Sequence, residues 1–323
     1  MDLKRRVLID TDTASDDAVA IIMALRSPRV QVVAVTVVAG NVDVEQATRN
    51  ALFAAELCNS SVPVYAGSSR PLHRDLEIAD WFHGADGLGD HGYAPIHRKA
   101  EPGHAVDAII DSALKYPGLE IVTLGPLTNL ALALEREPQI AGKIGRCVIM
   151  GGAPCCEGNV TPAAEFNIWV DPEAARQVFL SDLPREMIGW HLSRFDAVVN
   201  EQEIAIIENL GNPLAEFAIS CNSAAAKAYH TQTGEVGISL PDPIAMAILL
   251  DPALTLVSSM HFIDVETRSE LTRGMTVVDR LNVSGDARNR PMWREAMQSP
   301  KTKVCWMIDI PGWKAALIKS LSI

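Results

Sequence analysis

A chain of 323 residues, 48% of them hydrophobic, is long enough to bury a large core, and one α/β domain of this size is common. Its 28 Lys and Arg residues are outnumbered by 40 Asp and Glu residues, so the formal charge is −12 and no basic run follows a phosphate backbone. We therefore expect residues 1–323 to form a single domain, with neither nucleic acid nor an anionic membrane as a partner.

Strands and helices alternate along the first half of the chain. Short β-branched runs predict strands at residues 7–9, 30–38, 62–65, 119–124 and 147–150. Helix-length apolar patterns predict helices at residues 17–25, 44–57, 105–114 and 127–134. This alternation is typical of a mostly parallel sheet covered by helices. The sequence therefore predicts an open, doubly wound, Rossmann-like α/β sheet, in which ligands bind beyond the carboxyl ends of the strands.

Two further regions lie outside this alternation. Residues 67–102 are rich in Gly, His and Asp and exceed the length of an ordinary connection, which is compatible with either an ordered excursion or an active-site flap. From residue 197 the pattern predicts additional C-terminal helices, followed by late strands at residues 260–266, 275–278 and 304–308.

The cysteines and the N-terminus indicate a cytoplasmic protein. The six cysteines show neither C-x-x-C spacing nor the density of a secreted disulfide scaffold. The apolar run near the N-terminus covers only residues 7–9, which is too short for a signal peptide, and no apolar stretch approaches the length of a membrane span.

Four carboxylates, Asp10, Asp12, Asp16 and Asp17, follow the first predicted strand within eight residues. Acids that converge at one strand end raise one another's pKa unless a cation or strong hydrogen bonds offset the repulsion, so the cluster favours a bound metal. All-oxygen ligands select a hard ion such as Ca²⁺ or Mg²⁺ over zinc. For one or two of these positions the alternative is a helix cap, with Ser15 or Asp16 as the capping residue.

The same stretch contains a second motif. Asp10-x-Asp12 after an apolar strand is also the opening motif of haloacid-dehalogenase-type phosphatases, in which the first Asp is the nucleophile beside a Mg²⁺ site. An EF-hand loop is excluded, because it requires an acid where Ile21 stands. The motif alone therefore leaves a phosphatase open.

The wider pattern resembles the inosine-uridine-preferring nucleoside hydrolase family. The stretch D-T-D-x-x-x-D-D is similar to that family's N-terminal signature, and further matching segments follow in order: Asn41, residues 124–129, residues 150–152, residues 158–167 and Asp242. Together they span roughly residues 7–251, and the combination is specific although each piece is weak alone. The resemblance implies the nucleoside hydrolase fold and hydrolysis of the N-glycosidic bond of a small-molecule ribonucleoside.

The resemblance also implies a calcium site. The family's Ca²⁺ ligands correspond to Asp12, Asp17, Asp242 and the backbone carbonyl of Leu124. Asp12 would double as the general base toward the attacking water, and Asn41 would lie behind that water. Ca²⁺ suits such a site because its coordination is flexible enough to combine protein oxygens, water and the ribose diol.

A second group of residues is implied to hold the ribose: Asp16, Met150, Asn159, Glu165, Asn167 and Asp242. By the same resemblance Asp16 binds the 2′-hydroxyl, so ribose should be preferred to 2′-deoxyribose. Carboxylates and amide oxygens around the sugar would also stabilise an oxocarbenium-like transition state.

One position departs from the family pattern. Where the family usually has a His that protonates the leaving base, this chain has Pro241. His83, in the flap, is the first candidate for the missing acid, and Tyr229 and His230 are the second. If no acid replaces that His, the enzyme would have to stabilise the leaving base by stacking. A non-catalytic, calcium-dependent nucleoside- or sugar-binding protein is the alternative.

The base pocket is predicted to lie between the flap, residues 67–102, and the helical part, residues 197–250. Its candidate residues are Trp81, His83, Tyr229 and His230, for each of which simple packing is the alternative. Members of the family are usually homodimers or homotetramers, so we also expect a homo-oligomer.

Overall fold

The described part of the chain, residues 4–93 and 97–322 of a computed structural model, contains ten strands and twelve α-helices. The strands are β1 (Arg5–Thr11), β2 (Val30–Val37), β3 (Val64–Ala66), β4 (Leu119–Thr123), β5 (Ile144–Met150), β6 (Arg185–Ile188), β7 (Thr255–His261), β8 (Ile263–Val265), β9 (Thr276–Val278) and β10 (Thr302–Ile308). The helices are α1 (Ser15–Arg26), α2 (Val44–Leu57), α3 (Asp80–His83), α4 (Ala105–Lys115), α5 (Thr128–Arg136), α6 (Phe166–Val170), α7 (Pro172–Phe179), α8 (Glu201–Glu208), α9 (Pro213–Ser220), α10 (Ser223–Thr233), α11 (Pro241–Leu250) and α12 (Ile310–Leu321).

Eight of the strands form one sheet in the order β3-β2-β1-β4-β5-β6-β10-β7. Every neighbouring pair is parallel except β10 and β7. The chain begins at the centre with β1, runs outward to β3, and returns to the other side of β1 to continue with β4. This reversal leaves a crevice beyond the carboxyl ends of β1 and β4, where ligands bind in sheets of this kind.

Helices cover both faces of the sheet, which confirms the predicted doubly wound architecture. In β1, Val7 and Ile9 point into a core formed with α1, α2, α11 and α12, whereas Leu8 points into a second core formed with α4, α5 and α7. Because successive side chains alternate between the faces and both faces are buried, the central strands read as continuous apolar runs.

One predicted strand is wrong. Residues 260–266 do not form a single strand, because β7 ends at His261 and β8 pairs with β9 in a separate two-stranded sheet. The change of direction is held by a hydrogen bond between Nδ1 of His261 and the carbonyl of Asp279, 2.9 Å apart. An apolar pattern carries no information about such a change of pairing partner.

α11 brings a distant part of the chain to the crevice. It packs against α1 under the sheet, so its first turn, which contains Asp242, lies beside the carboxyl end of β1. Its last carbonyls accept hydrogen bonds from Arg5, at 2.9 Å for Leu249 and 2.8 Å for Leu250. A cation at this end of a helix also complements the helix dipole.

The predicted flap includes residues 94–96, which lie outside the described residues. Its described part contains α3, which packs against α10. At one edge of the large sheet, β7 exposes Leu256, Val257 and Met260 to solvent. The homo-oligomer stays a prediction. Within residues 4–93 and 97–322, no helix has the length and apolar character that crossing a membrane requires.

Candidate functional site

A cavity of about 750 Å³, including its open mouth, lies at the crevice between β1 and β4. Most residues singled out in the sequence line it: Asp16, Asn41, Trp81, His83, Leu124, Met150, Asn159, Glu165, Asn167, Tyr229 and Asp242. Asp12 and Asp17 are fully buried beside these residues. His230 is the exception, because it is exposed and its Nδ1 lies 3.1 Å from the carbonyl of Glu235, away from the cavity lining.

Four buried carboxylates meet at the floor of the cavity. Asp16, Asp17 and Asp242 each place a carboxylate oxygen within 4.8 Å of the others. Burial and the neighbouring charge of Asp17 raise the pKa of Asp12 well above its usual range, and the same two causes raise the pKa of Asp16 to about 7. Four neighbouring carboxylates in a low-dielectric site repel one another, so all of them can be ionised only when a cation offsets that repulsion. The cluster therefore fits a metal ion.

The carboxylate of Asp12 sits in a space that two glycines leave open. Its Oδ2 accepts the backbone N–H of Asn41 at 2.7 Å, whereas its Oδ1 is buried without a partner among the described residues. A β-carbon at Gly40 would lie 2.1 Å from Oδ2, and one at Gly125 would lie 2.6 Å from Oδ1. A buried carboxylate oxygen without a hydrogen-bond partner is typical of a site that binds a ligand or an ion.

Asp17 is held from three sides. Its Oδ1 accepts the hydroxyl of Thr11 at 2.5 Å, and its Oδ2 accepts the backbone N–H of Ala14 at 3.0 Å. The side-chain amide of Asn41 lies 3.5 Å from Oδ2. The alternative of a helix cap holds for a different acid: α1 begins at Ser15 after an N-cap at Ala14, and Asp17, not Ser15 or Asp16, accepts the N–H of that capping residue. The side chain of Asp16 lines the cavity, and that of Ser15 contacts His83.

The carbonyl of Leu124 is oriented by an amide. Nδ2 of Asn167 donates to this oxygen at 2.7 Å. A carbonyl oxygen has two lone pairs, so one hydrogen bond leaves the second lone pair for a cation. An apolar side chain at this position is compatible with a role in the site, since the backbone supplies the ligand.

The loop before α6 is ordered by the side chains predicted to hold the ribose. Oε2 of Glu165 accepts the backbone N–H of Gly152 at 2.8 Å, and its Oε1 accepts that of Asn167 at 2.9 Å. Oδ1 of Asn159 accepts the backbone N–H of Phe166 at 2.9 Å. This bond fixes the side chain of Asn159 and leaves its amide N–H groups for a ligand.

His83 is the last residue of α3 and lies at the wall of the cavity. Only 7% of it is exposed, and its Nδ1 lies 2.8 Å from Oγ of Ser15. Burial lowers the pKa of this imidazole to about 3. A group with such a pKa is neutral near pH 7 and is a poor source of a full proton.

The other candidates for the base pocket differ in what they offer. The ring of Tyr229 lines the cavity, but its hydroxyl donates to Glu235 and is not free. Trp81 is 57% exposed and lies at the rim, edge-on to Phe82. Pro241 also lines the cavity, as the first residue of α11, a position that suits proline because the N–H it lacks would have no helical partner there.

Asp10 does not have the surroundings of a nucleophile. It is fully buried, it does not line the cavity, and its Oδ1 accepts hydrogen bonds from Thr36 at 2.6 Å and Asn129 at 2.9 Å. Burial raises its pKa to about 7, which further lowers its nucleophilicity. A phosphatase mechanism needs this carboxylate to reach a substrate, and the structure does not provide that access.

Several lining residues were missed in the sequence: Val160, Phe166, Trp190, Ser193, Asn222, Ala225, Gln232 and Ser239. Four positions of one helical segment, Asn222, Ala225, Tyr229 and Gln232, recur at a spacing of three or four and therefore share one face. That spacing, with Tyr229 as a starting point, could have predicted the other three lining residues from the sequence. Ser193 and Ser239 meet only through the tertiary fold, with their hydroxyl oxygens 3.1 Å apart, and local sequence contains no sign of them.

Comparison with known proteins gives consistent results. The family model described as "Inosine-uridine preferring nucleoside hydrolase" matches residues 7–315. The chain is 37% identical over 287 residues to a pyrimidine-specific ribonucleoside hydrolase, RihB, of Escherichia coli (strain SE11), covering 88% of this chain and 91% of the relative.

Solved structures agree with the family model. A plant nucleoside hydrolase, the PpNRh1 enzyme, superposes with a TM-score of 0.92 at 32% identity, over 99% of both chains. A purine-preferring ribonucleoside hydrolase from Gardnerella vaginalis superposes with a TM-score of 0.87 at 33% identity, over 98% of both chains. The match along the chain, the shared fold and the carboxylate cluster at the crevice lead to one assignment: the chain belongs to the inosine-uridine preferring nucleoside hydrolase family.

Proposed function

We propose that this chain is a Ca²⁺-dependent hydrolase that cleaves the N-glycosidic bond of ribonucleosides to give ribose and the free base. The observation that carries the proposal is the meeting of Asp16, Asp17 and Asp242, from opposite parts of the chain, at the cavity beyond the carboxyl ends of β1 and β4. The names of the relatives support the same reaction.

The donor set suits a hard cation. Asp12, Asp17, Asp242 and the carbonyl of Leu124 would hold it, and all four donors are oxygens. When bound, the ion supplies the positive charge that keeps the acids ionised and polarises the water and the sugar hydroxyls. The orphaned Oδ1 of Asp12 and the raised pKa values of the cluster support this assignment.

The chain's own groups then position and activate the reactants. Asp12 accepts a proton from the attacking water as its oxygen bonds to the anomeric carbon, while the bond to the base breaks and its electron pair stays on the base. Asn41 fixes the Asp12 carboxylate through its backbone N–H and would lie behind the attacking water. The surrounding carboxylates stabilise the positive charge that develops on the ribose.

The ribose is assigned to Asp16, Met150, Asn159, Glu165, Asn167 and Asp242, all of which line the cavity. The base then lies between the flap and the helical part, against Trp81, His83 and Tyr229. The chain has similar sequence identity to a pyrimidine-specific relative, 37%, and to a purine-preferring relative, 33%. Ribonucleosides with both kinds of base should therefore be assayed.

The test measures free ribose from purine and pyrimidine ribonucleosides, with added CaCl₂ or with a chelator. We expect release that requires the cation and falls by about 100-fold or more in Asp12→Asn, because the general base is lost. The matched control is Asp171→Asn, since Asp171 is also a buried acid, bonded to Thr128 at 2.7 Å, but lies outside the cavity lining.

The alternatives give different outcomes in the same assay. Binding of ribonucleosides without any ribose release would indicate a non-catalytic binding protein. Release of phosphate from a phosphomonoester would indicate phosphatase chemistry at Asp10. Free cysteines and the absence of a secreted-type disulfide scaffold support placing the reaction in the cytoplasm.

A further inference from the structure

The contact between Ser15 and His83 joins two separate parts of the site. Ser15 is the first residue of α1, next to Asp16 and Asp17, and is fully buried. His83 ends α3 in the flap and lines the cavity. Oγ of Ser15 lies 2.8 Å from Nδ1 of His83, the only ring nitrogen of His83 that is bonded to a described residue.

The direction of this hydrogen bond follows from the surroundings of Ser15. Within residues 4–93 and 97–322, the hydroxyl has no hydrogen-bond partner except His83. If Nδ1 carried the proton and donated it, the buried hydroxyl hydrogen would have no acceptor among the described residues, which is energetically costly. Ser15 therefore donates and Nδ1 accepts.

A neutral imidazole carries one N–H, and Nδ1 is already an acceptor, so the proton is on Nε2. Nε2 makes no hydrogen bond to the described residues. It is nevertheless not completely buried, and His83 lines the cavity. The free N–H of His83 is therefore the one that faces the cavity.

We propose that His83 contacts the leaving base as a neutral imidazole that donates a hydrogen bond from Nε2–H and keeps its proton, with Ser15 as the positioning residue that fixes this tautomer. The inference rests on the proposed function, because it takes the cavity to be the place where the base lies. It replaces the role of leaving-group acid with that of a hydrogen-bond donor.

The surroundings of His83 oppose the alternative, an imidazolium acid. No carboxylate of the described residues accepts a hydrogen bond from the ring, and the neighbouring aromatic group is Phe82, whose ring centre is 4.9 Å away. Protonation would place an N–H on Nδ1 opposite the hydroxyl and force Ser15 to turn its hydrogen elsewhere. Burial lowers the pKa of the ring to about 3, in agreement with a permanently neutral side chain.

The chemistry balances without a proton from His83. When the bond between the anomeric carbon and the base nitrogen breaks, the electron pair remains on the base. The resulting negative charge spreads to the acceptor atoms of the base, where the N–H of a preorganised neutral imidazole stabilises it. The water's proton passes to Asp12, and the departed base takes its own proton from solvent.

The tautomer is measured on the free wild-type protein by NMR after ¹⁵N labelling of histidine. The spectrum of His83→Gln assigns the His83 signals among the eight histidines. We expect a protonated Nε2 and an unprotonated Nδ1, unchanged between pH 5.5 and 8. A proton on Nδ1, or an imidazolium at neutral pH, would overturn the proposal. Since no substrate is present, this result does not depend on whether ribonucleosides are hydrolysed.

A set of variants separates a neutral donor from an acid. Glutamine places an amide N–H near the position of Nε2, whereas asparagine places one near Nδ1. We expect His83→Gln to retain kcat on ribonucleosides within about tenfold of wild type, while His83→Asn and His83→Ala lose about 100-fold. An acid role predicts equal losses for all three variants, which would refute the neutral donor.

Ser15→Ala tests the positioning role. Without the donor, both tautomers of His83 are populated, so we expect kcat on ribonucleosides to fall about tenfold with little change in KM. Hydrolysis of 4-nitrophenyl β-D-ribofuranoside should change less than twofold, because nitrophenolate needs no help to depart. The matched control, Ser68→Ala, removes a buried hydroxyl that has no partner among the described residues and lies outside the cavity lining. Equal losses on both kinds of substrate would contradict the proposal.

Discussion

Gly40 and Asp12 lie so close together that a β-carbon at position 40 would be 2.1 Å from Oδ2 of the carboxylate. Gly40 follows β2, whereas Asp12 follows β1, and these strands are neighbours in the sheet. Gly125, after β4, limits the other side of the same carboxylate at 2.6 Å. The carboxylate of Asp12, the proposed general base, therefore occupies space that is available only because Gly40 and Gly125 have no side chains.

Gly40→Ala should displace this carboxylate while leaving the fold intact. A shift of about 1 Å in a catalytic group costs on the order of 100-fold in rate, so we expect kcat/KM for ribonucleosides to fall by at least that factor. The matched control is Gly142→Ala, because a β-carbon there meets nothing within 4 Å. If Gly40→Ala retained kcat/KM for ribonucleosides within threefold of wild type, with an unchanged circular dichroism spectrum, the position of the Asp12 carboxylate would not limit the rate.

Removal of the cation should make stability depend on pH. Burial raises the pKa values of Asp10 and Asp16 to about 7, above the usual 3.8 of the unfolded chain. A raised folded-state pKa contributes stability that is present below the unfolded pKa and is lost as pH rises through the folded pKa. The chelated protein should therefore become less stable between pH 6 and pH 8.5, a range in which His83 is largely neutral.

Thermal melting with EGTA or with CaCl₂ measures this effect. We expect Tm in EGTA to fall by about 5 °C or more between pH 6 and pH 8.5, whereas the calcium-loaded protein should change little, because the cation favours the ionised acids. Asp12→Asn, which removes one charge from the cluster, should reduce the fall. An equal pH response in the two buffers would show that the cluster does not bind the ion.

Much of the site was predictable because the carboxyl ends of parallel strands meet at one edge of the sheet. Asp12 after β1 and Leu124 after β4 follow from that rule alone. Asp242 does not, since only the packing of α11 against α1 brings it to the cluster, and the resemblance to a family was needed to find it. The hydrogen bond between Ser15 and His83 could not be predicted from local sequence at all, because it joins the start of α1 to a flap residue 68 positions away.

Asp10→Asn discriminates between the hydrolase and the phosphatase. Asparagine retains an oxygen that can accept from Thr36 and Asn129. The oxygen that it replaces by an amide group has no partner in the described part of the chain. We expect ribose release within about tenfold of wild type, since only a supporting hydrogen-bond network is changed. A phosphatase would lose its nucleophile, so wild-type release of phosphate from a phosphomonoester that disappears in this variant would favour the phosphatase.

Discrimination between ribose and 2′-deoxyribose should depend on Asp16. Asp16 lines the cavity within 4.8 Å of the oxygens of Asp17 and Asp242. If it binds the 2′-hydroxyl as proposed, a substrate without that group would leave a buried carboxylate and the cation unpaired. Sites that bind a substrate hydroxyl in this way reject the analogue that lacks it by on the order of 10⁴-fold. We expect the ratio of kcat/KM for uridine to that for 2′-deoxyuridine, and for inosine to that for 2′-deoxyinosine, to approach this value in wild type. Asp16→Ala should lower the ratio by at least tenfold through a selective loss on the ribonucleoside. An unchanged ratio in Asp16→Ala would assign the 2′-hydroxyl to another group.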